Sequence, residues 1–155
     1  MNQSPSIAQL GHITLSTPDI EKSLWFFRDI LGMEEVARDG KRAYLRAYQE
    51  KEHHSLVLED SNVAEMKHFA LRTSRPEDVE LYARHLHNSG VEILEVPKGE
   101  KQGQGDAVRF IMPHGGHPIE LFYEITKPKA PEAIQSKMLS QSSTRRGLGV
   151  RRIDH

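Results

Sequence analysis

Three side chains in this 155-residue sequence could together bind a divalent metal ion. His12 and His68 each open a short segment rich in β-forming residues, and Glu120 lies in the last such segment. Two neutral imidazoles and one carboxylate on one face of a metal leave coordination positions free, as in non-haem Fe(II) oxygen chemistry. A charged residue that faces the interior of a sheet is also costly unless it is paired or metal-bound. The sequence therefore predicts a candidate metal site at His12, His68 and Glu120.

A purely structural interpretation of the same residues stays open. A single histidine at the start of a strand is more often hydrogen-bonded than metal-bound, and a duplicated ancestor could have passed on both. One glutamate in an alternating strand is also common on solvated sheets. The residue types alone do not decide between the two interpretations.

The elements that must position these residues occur twice. Each histidine begins a β-patterned segment, and a predicted helix follows that ends near a glycine, Gly32 or Gly90. Thr17 is the expected N-cap of the first helix. Three further β-patterned segments follow each helix. This repeat predicts an α+β fold of two βαβββ modules, at about residues 9–60 and 66–125.

The remaining histidines and the glycine-rich segment give weaker signals. His53 and His54 follow charged residues and are expected to be solvated. His85 and His87 are two positions apart on a predicted helix, so they cannot face each other. Residues 99–105 are rich in glycine but precede a strand rather than a helix. This segment is therefore predicted to be a mobile loop and not a phosphate-binding loop.

Composition limits the class of protein. The net charge is −1, and the basic residues are scattered, so nothing favours a nucleic-acid partner. The chain has no cysteine, which excludes disulfides and fits a reducing cytoplasm. No apolar run approaches the ~20 residues of a membrane span, and the first residues do not resemble a secretory signal. We therefore expect a cytoplasmic protein that binds neither nucleic acid nor membrane.

Motifs around the candidate residues resemble a known superfamily. Residues 11–15 and 18–33 are similar to the opening of vicinal oxygen chelate modules, the glyoxalase/bleomycin resistance/dioxygenase superfamily. Residues 115–122, Gly-Gly-His-Pro-Ile-Glu-Leu-Phe, resemble the closing hairpin of such modules. Three segments more narrowly resemble the N-terminal domain of catechol 2,3-dioxygenases, the extradiol ring-cleaving enzymes: residues 42–48, 55–58 and 108–110.

The resemblance implies an arrangement of domains. Each domain of these enzymes pairs two βαβββ modules into a half-open mixed β-barrel, and catalysis belongs to the C-terminal domain. Residues 9–125 would be the N-terminal domain, 126–149 a linker, and 150–155 the start of a truncated second domain. The first metal ligand of that second domain would be His155. The N-terminal domain of such enzymes usually holds no metal and serves structure and oligomer contacts.

The function implied is extradiol ring cleavage in aromatic hydrocarbon catabolism. A homo-oligomeric enzyme would convert catechol and O₂ to a product of the 2-hydroxymuconate semialdehyde type, with Fe(II) or else Mn(II). This chain alone would be inactive, and could be free of metal, because the catalytic domain is missing. Two alternatives remain open: a single-domain metalloenzyme that uses His12, His68 and Glu120, and a metal-free ligand-binding protein of the bleomycin-resistance type.

The sequence departs from the family pattern in two places. His12, His68 and Glu120 all occupy ligand positions, which a metal-free N-terminal domain does not require. Pro113 is seven residues before Glu120, one more than is typical of the family. The extra residue is expected to shift either the turn or the register of the closing strand.

Overall fold

The structure, a computed structural model, describes residues 4–127 and 148–152. The chain divides into two compact units. Of the described residues, unit 1 contains 4–13 and 67–125, and unit 2 contains 14–66, 126–127 and 148–152. The first strand, β1, runs through Ile7–Thr17 and contributes residues to both units.

Unit 2 contains the helix and the last three strands of the first module. A short helix, α1, is followed directly by a π-helical segment, and the strands are ordered β2-β3-β4-β1. Gly40, with φ 44°, lies in the two-residue turn between β2 and β3. The elements are α1 (Ile20–Leu24), the π-helical segment (Trp25–Ile30), β2 (Glu34–Asp39), β3 (Arg42–Arg46) and β4 (Leu56–Asp60).

The N-cap of α1 is Asp19 and not Thr17, so that prediction was wrong. Asp19 has extended backbone geometry, and its carboxylate accepts a hydrogen bond of 2.9 Å from the backbone N–H of Lys22. A carboxylate at this position satisfies a free N–H of the first turn and lies at the positive end of the helix. Thr17 contacts Ser23 instead, with 2.8 Å between the two hydroxyl oxygens.

Unit 1 contains the second module and the first part of β1. Its strands are ordered β1-β5-β8-β7-β6, with β5 and β8 parallel and the other second-module pairs antiparallel. Helix α2 covers one face of this sheet, where its apolar side chains pack on a cluster formed by Val108, Ile119 and Leu121. The elements are β5 (Glu65–Thr73), α2 (Pro76–Asn88), β6 (Ile93–Val96), β7 (Ala107–Ile111) and β8 (Pro118–Phe122).

The loop between β7 and β8 absorbs the extra residue of the closing hairpin. The β7–β8 register is unbroken from Ala107 opposite Phe122 to Ile111 opposite Pro118. Beyond that pair, the Met112 N–H donates to the carbonyl of His117 at 2.9 Å. The turn residues His114 and Gly116 have positive φ angles of 64° and 68°. The extra residue therefore changes the turn and leaves the register of β8 intact.

The two modules match the predicted α+β organisation. Each has the order strand, helix and three strands, so the prediction of two βαβββ modules is confirmed. In residues 4–127 and 148–152, no helix is long and apolar enough to cross a membrane. Residues 148–152 contact the first module: the Tyr48 N–H donates to the carbonyl of Val150 at 2.9 Å.

Candidate functional site

The three predicted ligand residues converge inside unit 1. His12 lies on β1, His68 on β5 and Glu120 on β8, which are three neighbouring strands of one sheet. All three are buried, and their ligand atoms lie within 4.8 Å of one another. The Nε2 atoms of His12 and His68 are 3.7 and 3.6 Å from the nearest carboxylate oxygen of Glu120. The predicted convergence of these three residues is present in the structure.

The alternation of β8 explains why Glu120 points to the histidines. Its neighbours Ile119 and Leu121 pack under α2, so Glu120 and Phe122 must face the opposite side of the sheet. Phe122 is fully buried there, and its ring centroid is 5.5 Å from that of His12. The close approach requires Gly11, because a Cβ at that position would lie 2.5 Å from Cζ of Phe122.

A fourth residue, Lys101, lies between the three. Its ammonium nitrogen is 3.1 Å from Nε2 of His12, 2.6 Å from Nε2 of His68 and 2.7 Å from Oε1 of Glu120. Only 2% of its side chain is exposed. An ammonium has three N–H donors and no acceptor, and three acceptors surround it here.

Two further side chains complete the contacts of Glu120. The amide nitrogen of Gln104 donates to Oε1 at 2.7 Å. The guanidinium of Arg109 donates to Oε2 through Nε at 2.9 Å and Nη2 at 2.5 Å. Nη2 of Arg109 also lies 3.3 Å from a carboxylate oxygen of Glu100. Glu120 is therefore bound on one oxygen by Lys101 and Gln104 and on the other by Arg109.

Sequence reasoning missed Lys101 and Gln104. Both lie in the glycine-rich segment that was predicted to be a mobile loop, yet they are only 3% and 4% exposed. The segment is tied down at its ends, where the Lys98 N–H donates to Asp106 at 2.8 Å and the Gly105 N–H donates to the carbonyl of Glu124 at 2.9 Å. A loop has no hydrophobic period, so the pattern could not show which of its side chains turn inward. In the sequence, the one feature that could have indicated this inward-facing residue was a lysine near glycines in a segment between two predicted strands.

Charge shifts the pKa values of the central pair. Burial alone would raise the pKa of Glu120, but the Lys101 ammonium, His68 and Arg109 outweigh it and lower the pKa to about 2. Burial lowers the pKa of Lys101 to about 8, although the nearby Glu120 carboxylate opposes this shift. At neutral pH the pair is therefore an ammonium and a carboxylate.

The lowered pKa of Glu120 predicts a loss of stability in acid. Its usual pKa is 4.5, so the stabilisation from the ionised carboxylate is complete above that value and disappears as pH falls through about 2. We expect the difference in free energy of unfolding between the unmodified chain and Glu120→Gln to narrow as the pH falls from about 4.5 to about 2. Urea unfolding at a series of pH values measures this difference. A difference that stays constant over the range would contradict the assigned ion pair.

The three ligand atoms are of types that bind a divalent metal, but the space between them has no room for one. Two imidazole nitrogens and a carboxylate oxygen are ligands typical of Fe(II) and related ions. A metal about 2.0–2.2 Å from all three atoms would overlap the ammonium of Lys101. The residues present therefore do not fit a metal ion while Lys101 keeps its place.

The two histidines that were expected to be solvated, His53 and His54, belong to unit 2. His54, expected to be solvated, is fully buried in unit 2, where its ring centroid is 5.1 Å from that of Tyr44. Its neighbour His53 is partly buried, and burial and then the nearby charge of Arg46 lower its pKa. The prediction for His54 was wrong, because one side chain of a charged segment can still be buried. His155 lies outside the described residues.

Comparison with known proteins identifies the family. The model of the Glyoxalase/Bleomycin resistance protein/Dioxygenase superfamily matches residues 9–121. The chain belongs to this superfamily. The paired modules are the fold that the resemblance implied.

Several ring-cleaving dioxygenases are similar to this chain. A manganese-dependent 2,3-dihydroxybiphenyl 1,2-dioxygenase of Geobacillus genomosp. 3 is 49% identical over 96% of this chain and 47% of its own length. A metapyrocatechase of Geobacillus stearothermophilus is 37% identical over 96% of this chain and 45% of its own. A solved structure of a homoprotocatechuate 2,3-dioxygenase variant from Brevibacterium fuscum superposes with a TM-score of 0.84 and 31% identity, covering 98% of this chain and 40% of the other. The chain thus spans about half the length of these relatives.

Proposed function

We propose that residues 9–125 are the N-terminal domain of an extradiol ring-cleaving dioxygenase. The observation that carries this proposal is the extent of similarity: nearly the whole chain aligns, but with only about half of each dioxygenase. Residues 126–149 then act as a linker, and 150–155 begin a second, catalytic domain. Residues 152–155, Arg-Ile-Asp-His, resemble the start of the strand that carries the first metal ligand of the catalytic domain, and His155 is that ligand.

The full enzyme acts on a small aromatic diol and O₂. The second domain would hold Fe(II) or Mn(II), which would supply Lewis-acid and oxygen chemistry for ring cleavage. The module pair described here supports that domain and supplies contacts of a homo-oligomer. The lack of cysteine suits an enzyme of the reducing cytoplasm.

This domain takes no part in the chemistry under the proposal. Its own His–His–Glu cluster is occupied by the ammonium of Lys101, which donates to all three residues. An alternative is that the chain is itself a single-domain metalloenzyme with His12, His68 and Glu120 as ligands. The convergence of those atoms within 4.8 Å favours this alternative, and the position of Lys101 opposes it.

The activity of two chain lengths tests the proposal. We expect residues 1–155, supplied with Fe(II) or Mn(II), to form no coloured ring-cleavage product from catechol or 2,3-dihydroxybiphenyl. A longer product of the same gene, containing the second domain, should form it. In the longer chain, His155→Ala should reduce kcat to below about one hundredth, because a metal ligand is lost.

A matched substitution in the first domain provides the control. His68→Gln in the longer chain keeps a hydrogen-bond acceptor near Lys101 and should retain most of the activity. Turnover by residues 1–155 alone, abolished by His68→Gln, would instead establish the single-domain metalloenzyme.

A further inference from the structure

One charged side chain in unit 1 has surroundings that resemble the ligands of a metal ion. Lys101 has its ammonium at 2.6–3.1 Å from two imidazole nitrogens and one carboxylate oxygen. The three acceptors are the atoms that a divalent ion would use. We propose that Lys101 is a tethered cation that closes this site to metal, and that its truncation opens a binding site for one divalent metal ion.

The hydrogen bonds fix the histidines in the form that a metal needs. A neutral imidazole can accept at Nε2 only when its proton is on Nδ1. Both His12 and His68 present Nε2 to the ammonium. The same tautomer presents a lone pair to a metal, so an ion could replace the ammonium without turning either ring.

The outer contacts of Glu120 are independent of Lys101. Arg109 donates to Oε2 at 2.5 and 2.9 Å, whereas the ammonium donates to Oε1. Removing Lys101 would leave the carboxylate beside both imidazoles, with Oε1 3.7 Å from Nε2 of His12 and Oε2 3.6 Å from Nε2 of His68, while Arg109 still binds Oε2. Such supporting hydrogen bonds orient ligands in functioning metal sites.

The position of Lys101 is enforced by its loop. Gln104 follows it by three residues and donates to the same oxygen of Glu120, so two buried side chains of one loop bind one acceptor. Gly105 then packs so closely that a Cβ there would lie 2.6 Å from Cβ of Glu124. An ion could enter only by displacing a buried lysine from three hydrogen bonds. This inference concerns the site itself and stands whichever activity the full enzyme has.

Metal binding to the 155-residue chain and its Lys101→Ala variant tests the proposal. Truncation leaves a polar space ringed by two imidazoles and a carboxylate, large enough for an ion or water. With CoCl₂ as the probe, we expect Lys101→Ala to bind about one equivalent, with visible absorption typical of Co(II), and the unmodified chain at most about a tenth. Saturating Co(II) should raise the Tm of the variant by about 5 °C or more and leave that of the unmodified chain unchanged.

Two matched variants distinguish Co(II) binding at the buried site from binding at the surface. Lys101→Ala combined with Glu120→Gln removes both charges and one ligand, so the protein should fold but bind no Co(II). Lys98→Ala removes a lysine of the same loop that pairs with Glu124 on the surface, with 63% of each side chain exposed. This variant should behave like the unmodified chain.

Each outcome bears on the proposal. One equivalent bound equally well by the unmodified chain, or none bound by folded Lys101→Ala, would overturn it. Folding of Lys101→Ala only in the presence of Co(II) would support it. If that variant unfolds with and without metal, the ¹⁵N-lysine spectrum of the unmodified chain decides: a slowly exchanging Lys101 ammonium signal supports the proposal, and exchange as fast as that of Lys98 overturns it.

Discussion

Replacing Glu120 with glutamine is expected to lower the free energy of unfolding by about 3–5 kcal/mol at pH 7, because it leaves buried positive charge without its anion. Glu120 is fully buried and binds both Lys101 and Arg109. Glutamine keeps the shape of the side chain, so the loss reports charge and not packing. Urea unfolding followed by circular dichroism measures it.

Glu124→Gln is the matched control for that variant. Glu124 pairs with Lys98 at 2.8 Å, the same contact type as in the buried pair, but 63% of each side chain is exposed. Exposed pairs contribute little, so the free energy of unfolding should fall by less than about 1 kcal/mol. Equal losses in the two variants would show that the Glu120 pair is not desolvated as described.

Phe122→Ala is expected to lower the free energy of unfolding by about 3–5 kcal/mol, through lost apolar burial and the cavity left behind. The ring is fully buried among Ala70, Val96 and Ala107 and also contacts the ring of His12. The neighbouring Gly11 has no side chain that could fill the space. Chemical denaturation of the purified variant measures the loss.

Leu94→Ala provides the comparison for Phe122→Ala. Leu94 is an apolar strand residue of the same unit, but it is 60% exposed, so its truncation should cost less than about 0.5 kcal/mol. A loss for Phe122→Ala that is no larger than this value would mean that the sheet relaxes around the missing ring. The packing of His12 against that ring would then be unimportant for the site.

Most of the structural predictions came from the internal repeat in the sequence. Hydrophobic periodicity and the paired glycines predicted both modules, because strands and helices have regular periods that burial makes visible. His12 and His68 were singled out because they open equivalent strands of the two modules, and the alternation of β8 gave Glu120 its face. These features depend on local pattern.

The features that the sequence did not reveal depend on contacts between distant segments. Lys101 is 89 positions from His12 and 19 from Glu120, and no period links them. A lysine in a polar, glycine-rich loop normally lies in solvent. The lysine points inward because its loop packs against the sheet. The spacing of the two histidines and the glutamate therefore could not predict that a lysine lies between them.

A side chain of the protein, Lys101, supplies the positive charge between His12, His68 and Glu120. A free ion must be delivered by the cell, can be withdrawn by chelators and can be exchanged for a competitor, whereas a lysine is present from the moment of synthesis. The domain can therefore reach its native packing without waiting for an ion, and a scarcity of metal would leave its structure intact.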